Sequence, residues 1–380
     1  MLTCQLVKIS DVSAQDIDLW RQMNGATPLF ASPLLSPDFT QAVALCRDDV
    51  RVAVYRRGPQ ITGFLPHHRR PHRFARPAGA PFADYTALIT FPDPEIDGPE
   101  ALKLAGIDRF QAIGLVDPYH IFGTAAGEAD MAYGIDMRPE AEGIKVSKKH
   151  SKNINRHRRN LIEAHGPIRI IVGDRNRRHY DRMLHLKREQ MQQNGLHDFL
   201  QAPWANQLFE HLYDAPVEGL HGSLLTMMVG DVPAMFHYGL RLGDRMHPWV
   251  SSFDPAFGPF SPGQIFLTDA QVALRAAGVA YYDLSTGQSH YKNSFSNHQF
   301  PVLHARLYGA SDAARREEKA AHLSGRFQAM MGAGVSRIFG RMGRRFDQIA
   351  CLELDFVSRA RGVAYAFAAA PKRNGAHDAG

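Results

Sequence analysis

The chain has 380 residues, enough to bury large cores in two or three domains. Its 44% hydrophobic and 22% charged residues are ordinary for a globular protein and exclude a low-complexity or disordered chain. The net charge of +6 suits an anionic partner, such as a nucleotide, a lipid head group or an anionic polymer, although a chain this basic need not have one.

Cys4, Cys46 and Cys351 are too few and too far apart for a zinc site or a disulfide framework, which fits a reducing compartment. The first eight residues, Met1 to Lys8, lack a basic stretch followed by an apolar one, so no signal peptide is expected. No run approaches the roughly 18 apolar residues of a membrane span. A cytoplasmic protein is expected.

In chain order, a strand over Cys4–Ile9 leads to a helix from Ser13 whose apolar face carries Leu19 and Trp20. Pro33 to Pro37 interrupts the chain, and Ser36-Pro37 opens a second helix reaching Leu45. Val50–Tyr55 and Ile61–Leu65 read as a hairpin turned at Arg57-Gly58. Pro66 to Pro81 is rich in proline, arginine and histidine and reads as a loop. Its His67, His68 and His72 cannot share a helix face between Pro66 and Pro71, so no metal site is expected there. A strand at Tyr85–Thr90, a helix near Pro99–Leu104, Gly106 and a strand Arg109–Leu115 complete the first half.

The second half repeats this order: Ile61 before a strand corresponds to Val232, and Gly106 before a strand to Gly278. The offsets are 171 (232 − 61) and 172 (278 − 106). Two landmarks at nearly one offset indicate two copies of one α/β unit. Residues 1–144 form a first, degenerate copy, and residues 167–310 a second.

Between them, residues 145–166 form a densely basic helix. Ile154, Leu161 and Ile162 give it an apolar stripe, and Gly166 stops it. It reads either as a solvated linker or as a site for a phosphorylated ligand, with Lys148, Lys152, Arg156 and Arg159 as anion-binding candidates. Residues 311–380 are expected to form a basic, amphipathic helical tail whose last ten residues, 371–380, are disordered. Bulky apolar residues interleave there with Arg337, Arg341, Arg344 and Arg345, a pattern that suits either an anionic membrane surface or packing on the protein itself.

The second copy carries the most structured stretch. A strand over Ser223–Val229 turns at Gly230-Asp231 into a second over Val232–Gly239, and a third runs from Met246 to Phe253. Gly258 to Gln264 then forms a Gly/Pro turn opening a helix over about Ile265–Ala277. A helix start has free N–H groups and a positive dipole end, which suits a pyrophosphate. Ser261, Pro262, Gly263 and Gln264 are therefore the donor-site candidates. Gly263 would let a phosphate approach the backbone, and Ser261 would cap the helix. A strand from Val279 to Gly287 and the pair Tyr291-Lys292 close the stretch.

Gly230-Asp231-Val-Pro-Ala234, Phe253-Asp254, Ser261-Pro262-Gly263 and Asp283 to Gly287 leading to Tyr291-Lys292 together resemble the CelD/BcsL-type branch of the GNAT N-acetyltransferase superfamily, itself similar to the two-lobed FemAB-type acyltransferases. The resemblance covers residues 1–310 when the degenerate copy is included. It implies tandem GNAT lobes of mixed α/β fold, acetyl-CoA or another acyl-CoA as donor, an amine acceptor and an N-acyltransferase activity. It also implies work on a bacterial exopolysaccharide, adhesin or cell-envelope precursor. The turn departs from the glycine-richer phosphate loop of that superfamily, which leaves room for an aminoacyl-tRNA donor in the FemAB manner.

Acyl transfer to an amine needs a positioned donor, a base for the amine proton, a stabilised oxyanion and a proton for the leaving group. His237 and Asp254 are the candidate bases on successive strands, each also readable as a structural side chain. Asp283 either meets ligand at a strand end or caps the Ser285 turn. Tyr291 is the candidate acid for the leaving thiolate, and Lys292 would neutralise developing charge. The other reading is an anion-binding effector of polysaccharide production with little catalysis, built on Arg-x-x-x-Arg spacings at Arg69/Arg73, Arg337/Arg341 and Arg341/Arg345. A cyclic dinucleotide is its candidate ligand. Neither a helix-turn-helix nor a zinc-finger pattern occurs, so DNA is not an expected partner.

Overall fold

The computed structural model describes residues 1–380 except 124, 145, 288, 289, 331–348 and 354–380; for 290, 291, 322 and 324–330 it describes the backbone alone. The tail arginines Arg337, Arg341, Arg344 and Arg345 lie outside the described residues.

Two compact units divide the chain. The first runs in the order β1 (Leu2–Val7), α1 (Ala14–Gly25), α2 (Pro37–Cys46), β2 (Val50–Arg57), β3 (Gln60–Arg70), β4 (Phe74–Pro77), α3 (Gly98–Leu104) and β5 (Arg109–Leu115). Next comes β6 (Gly127–Asp136). The second unit continues with α4 (Lys148–His165), β7 (Ile168–Val172), α5 (Arg177–Gln193), α6 (Pro203–Asp214), β8 (His221–Val229), β9 (Val232–Leu242), β10 (Arg245–Phe253), α7 (Pro262–Ala276), β11 (Tyr281–Thr286) and α8 (His290–Phe295). The chain ends in β12 (His298–Tyr308) and α9 (Asp312–Met330), followed by a short described stretch to Glu353.

The repeat is a repeat of structure. Gln60 and Val232 each begin a third strand, and Arg109 and Tyr281 each begin a fifth; both pairs stand 172 residues apart (232 − 60 and 281 − 109). Strand order is β1-β2-β3-β4-β5-β12 in the first unit and β7-β8-β9-β10-β11-β6 in the second. The sixth strand of each sheet is therefore the one that follows the other copy's fifth strand in sequence. For that reason the units divide at Asp130/Met131 and Phe300/Pro301, not at the expected 144 and 310. Composition cannot show such an exchange, because β6 and β12 carry no local mark of the sheet they join.

Local sequence accounts for the helices. Ser36 accepts from the Phe39 N–H with Pro37 in the first turn, and Ser147 accepts from the His150 N–H to start α4. Gly166, at φ 99°, ends α4 in a conformation that only glycine adopts without strain. In the second unit Ile154 and Leu161 of α4 pack with Ile265, Phe266 and Leu274 of α7 over Leu225, Met227 and Met235 of the sheet. Burying a side chain of that size contributes about 1.5–3 kcal/mol each.

Two expectations for the first unit are corrected. Residues 66–81 are not a loop. β3 continues through His67 and His68 to Arg70, and β4 pairs back on it from Phe74. Pro66 is tolerated because it comes just before the β4 pairing begins at His67. The buried histidines are each bonded: His68 Nε2 accepts from the Gly79 N–H at 2.9 Å, so its Nδ1–H donates to Asp49 at 2.9 Å. The stretch Tyr85–Thr90 is likewise no regular strand. It makes single bridges, Thr86 to Leu115 and Ile89 to Phe64.

Those bridges show why the first copy is degenerate. β4 and β5 run parallel only at Phe74/Arg109 and Ala75/Phe110. Where they part, residues 85–90 take up the space. Val116 N–H donates to Thr86 O at 2.8 Å, and Phe64 and Ile89 exchange bonds of 2.9 and 2.8 Å. Gly114 permits this closure: at φ 51°, any Cβ would run into the Asp84 carbonyl.

Candidate active site

The same fork in the second unit is open. β10 and β11 pair in parallel only at Arg245/Tyr281 and Met246/Tyr282, and β10 then runs on to Phe253 along β9. Among the described residues no strand pairs with β10 beyond Met246 on its β11 side. A bulge between Pro248 and Val250 helps turn β10 away. Gly239 lies opposite it, where a Cβ would strike the His247 carbonyl.

The donor-turn candidates stand at the end of β10. Asp254 accepts from the Ala256 N–H and starts a 3-10 turn, Pro255–Phe260, which delivers the chain to α7. α7 begins at Pro262, a turn earlier than Ile265, because proline at the first helical position has no N–H to leave unpaired. Ser261 occupies the cap position in the left-handed conformation (φ 52°, ψ 58°), but its hydroxyl makes no capping bond, contrary to the expected role. Gln264 N–H is taken by the Ser261 carbonyl at 3.1 Å, whereas the Gly263 N–H has no protein acceptor among the described residues. A Cβ at Gly263 would meet only Met235 at an ordinary 3.6 Å, so the fold itself does not require glycine there.

The candidate bases are both engaged. Successive residues of a strand face opposite sides of its sheet. His237 faces α7, its ring centroid 4.3 Å from Phe266, while Tyr238 faces Tyr180 of α5 and Phe209 of α6. His237 Nδ1 is 2.5 Å from the Tyr282 hydroxyl, and burial, with a smaller push from Lys187, lowers its pKa to about 3. A ring so reluctant to take a proton is a poor base at neutral pH. Burial would raise Asp254, but the Ala256 N–H and Arg182 outweigh it and hold its carboxyl below the usual range; the Arg182 contact is 2.8 Å. Asp283, also buried, accepts from the Ser285 N–H and lies 3.4 Å from His247, so it shapes the β11 bulge. Lys292 is buried in α8 and donates to the Thr286 carbonyl. Tyr291 lies in the same helix, and its side chain is outside the described ones.

One residue of this site had no signal in the sequence. Lys187, in the charged run of α5, places Nζ 3.3 Å from the Ser251 carbonyl on the forked part of β10 and 3.0 Å from Gln190 Oε1. Desolvation lowers its pKa below the ordinary lysine value. The charge density of α5 hid it, because only the tertiary fold separates this lysine from its exposed neighbours.

α4 flanks the candidate donor turn. His165 packs edge-on to Phe257 and Phe260 at 5.2 and 5.4 Å, and Arg158 pairs with Asp269 of α7. Three lysines and three arginines face a single acidic residue, Glu163, along α4. Lys149, Lys152, Arg156 and Arg159 line an open groove of about 800 Å³, so three of the four proposed anion-binding residues converge and Lys148 adjoins them. No ion pair engages these four among the described residues. Nor does any described group of His, Cys, Asp and Glu have the arrangement of a metal site.

Residues 148–293 match the family described as acetyltransferase (GNAT) domain. The match begins at the first residue of α4 and ends within α8. No curated protein matches the chain. Among solved structures, the chain is similar to the C-terminal domain of a putative lysylphosphatidylglycerol synthetase from Agrobacterium fabrum (12% identity, 82% of this chain and 96% of that one, TM-score 0.47). It is also similar to a tandem GNAT protein from the clavulanic acid biosynthesis pathway (12%, 82% and 100%, 0.48) and to FemX (10%, 80% and 96%, 0.48). The second unit thus carries a GNAT-type acyltransferase fold, and the whole is a mixed α/β protein of two GNAT-like lobes.

Proposed function

We infer that the second unit transfers an acyl group from acyl-CoA, acetyl-CoA in the simplest case, to an amine. The acceptor is an amino sugar of a bacterial exopolysaccharide, adhesin or envelope precursor. The observation that carries this reading is the open fork between β10 and β11, with the start of α7 at the end of β10. A thioester would lie in the fork, its pyrophosphate near the free Gly263 N–H and the positive end of α7. The groove on α4 would take the phosphates of a nucleotide- or lipid-linked acceptor.

The charge of α4 beside the donor turn also supports a second reading, an aminoacyl-tRNA donor whose backbone lies on that helix. Calorimetric titration with acetyl-CoA separates the two. Micromolar binding that is abolished in a Ser261→Trp/Gly263→Trp variant is the expected result. Absence of binding by folded protein, with tRNA retained on a filter, would replace the thioester donor by the RNA one.

A further inference from the structure

We propose that Lys187 is the base that takes the proton from the acceptor amine. This rests on the acyl-transfer reading above and adds a residue to it. The fork has two faces: α7, with the donor turn, is on one, as the His237–Phe266 contact shows, and α5 is on the other, as the Tyr238–Tyr180 contact shows. A donor held by α7 presents its carbonyl in the gap, so the amine arrives from the α5 side. Lys187 reaches the gap from that side. Its Nζ lies against the Ser251 carbonyl, five residues past the last β10 residue paired with β11.

The contacts fit a neutral amine. Gln190 Oε1 and the Ser251 carbonyl both accept, so two N–H groups are used and one lone pair is left. No carboxylate among the described residues holds the ammonium form. Asp254, just past the end of β10, is bound to Arg182, Asp198 is near Arg188, and Glu189 on the same helix faces His185. His247 of β10 pairs with Asp283 of β11. From β9 the titratable side chain near it is His237, which carries no negative charge. Desolvation without a counter-charge favours the neutral form.

In the step itself the amine nitrogen bonds to the acyl carbonyl carbon, whose π electrons move to oxygen. The amine's surplus proton passes to Nζ. The oxyanion collapses, the carbon–sulfur bond breaks with its electrons on sulfur, and the thiolate takes a proton, which Lys187 can return directly or through water. Amide and thiol are the products, and the lysine is regenerated.

The test follows thiol release from acetyl-CoA with glucosamine as acceptor, across pH, for wild type, Lys187→Met and Lys187→Arg, each checked for folding by circular dichroism. The Lys187 Cε resonance of wild type is titrated by NMR in parallel. The expected result is a loss of at least about 100-fold in kcat for both variants, the scale of general-base catalysis, with KM nearly unchanged. The rise of kcat/KM with pH should follow the Lys187 titration and vanish in the variants. Arginine keeps the charge but cannot act as a base at neutral pH. Activity restored by arginine, or an unchanged pH profile in Lys187→Met, would overturn the base while leaving acyl transfer standing. No thiol release by wild type would overturn both.

Discussion

Buried histidines set the response of this protein to acid. Burial lowers His67 and His68 in the first unit to about 4, and His237 in the second to about 3. In the unfolded chain each returns to about 6.5. The unfolded state therefore binds these protons first, and the histidines' contribution to stability is full above about pH 6.5 and is lost as pH falls toward 4. Asp49 acts in a different window. Burial would raise it, but His68 and Arg47 hold it well below the carboxylate range, so its contribution is lost only below the unfolded value of about 4. Denaturant unfolding at pH 6.5, 5.5 and 4.5 should show a falling midpoint. His237→Gln, which cannot titrate, should flatten the slope by about 1.4 kcal/mol per pH unit, one proton's worth. An unchanged slope would mean that His237 takes up a proton in the fold.

At the scale of elements, the start of α7 separates what the fold needs from what a ligand would need. Gly263 sits inside the helix with room for a methyl group, so Gly263→Ala should leave the melting temperature unchanged or raise it, alanine being the better helix former by about 1 kcal/mol. If the donor's phosphates approach that backbone, the same methyl should weaken acetyl-CoA binding at least tenfold. Equal affinity in the calorimeter would place the phosphates elsewhere. Gly114 is the opposite case. Its left-handed backbone and the adjacent Asp84 carbonyl leave no room, so Gly114→Ala should cost about 2 kcal/mol in chemical denaturation. A stability equal to wild type would show that residues 85–90 do not depend on that close approach.

For the whole molecule, two copies of one unit do not make two sites. The first fork is bridged on both sides by Thr86 and Ile89, and among the described residues the second is not. One acetyl-CoA per chain is therefore the expected stoichiometry. Two equivalents would require residues 85–90 to leave their bonds to Phe64 and Val116. No described helix is long and apolar enough to cross a bilayer.

Many of the elements and the repeat were legible in the sequence, though β4, β6 and β12 were not. The strands β5 and β7, the helix α4 with its Gly166 stop, and the 172-residue spacing are local signals: alternation of apolar residues, caps and turn glycines act within a few residues. The sequence also marked the candidate donor turn, because Gly258 to Gln264 has the proline and glycine that open a helix. Which of these features come together in space was not legible there. The exchange of β6 and β12 and the filled first fork arise from pairings between distant segments. So does the deep burial that engages His237 with Tyr282, and the reach of Lys187 to Ser251, 64 residues away. Long-range pairing and desolvation depend on what surrounds a residue in space, and a linear pattern of residue types carries no record of those surroundings.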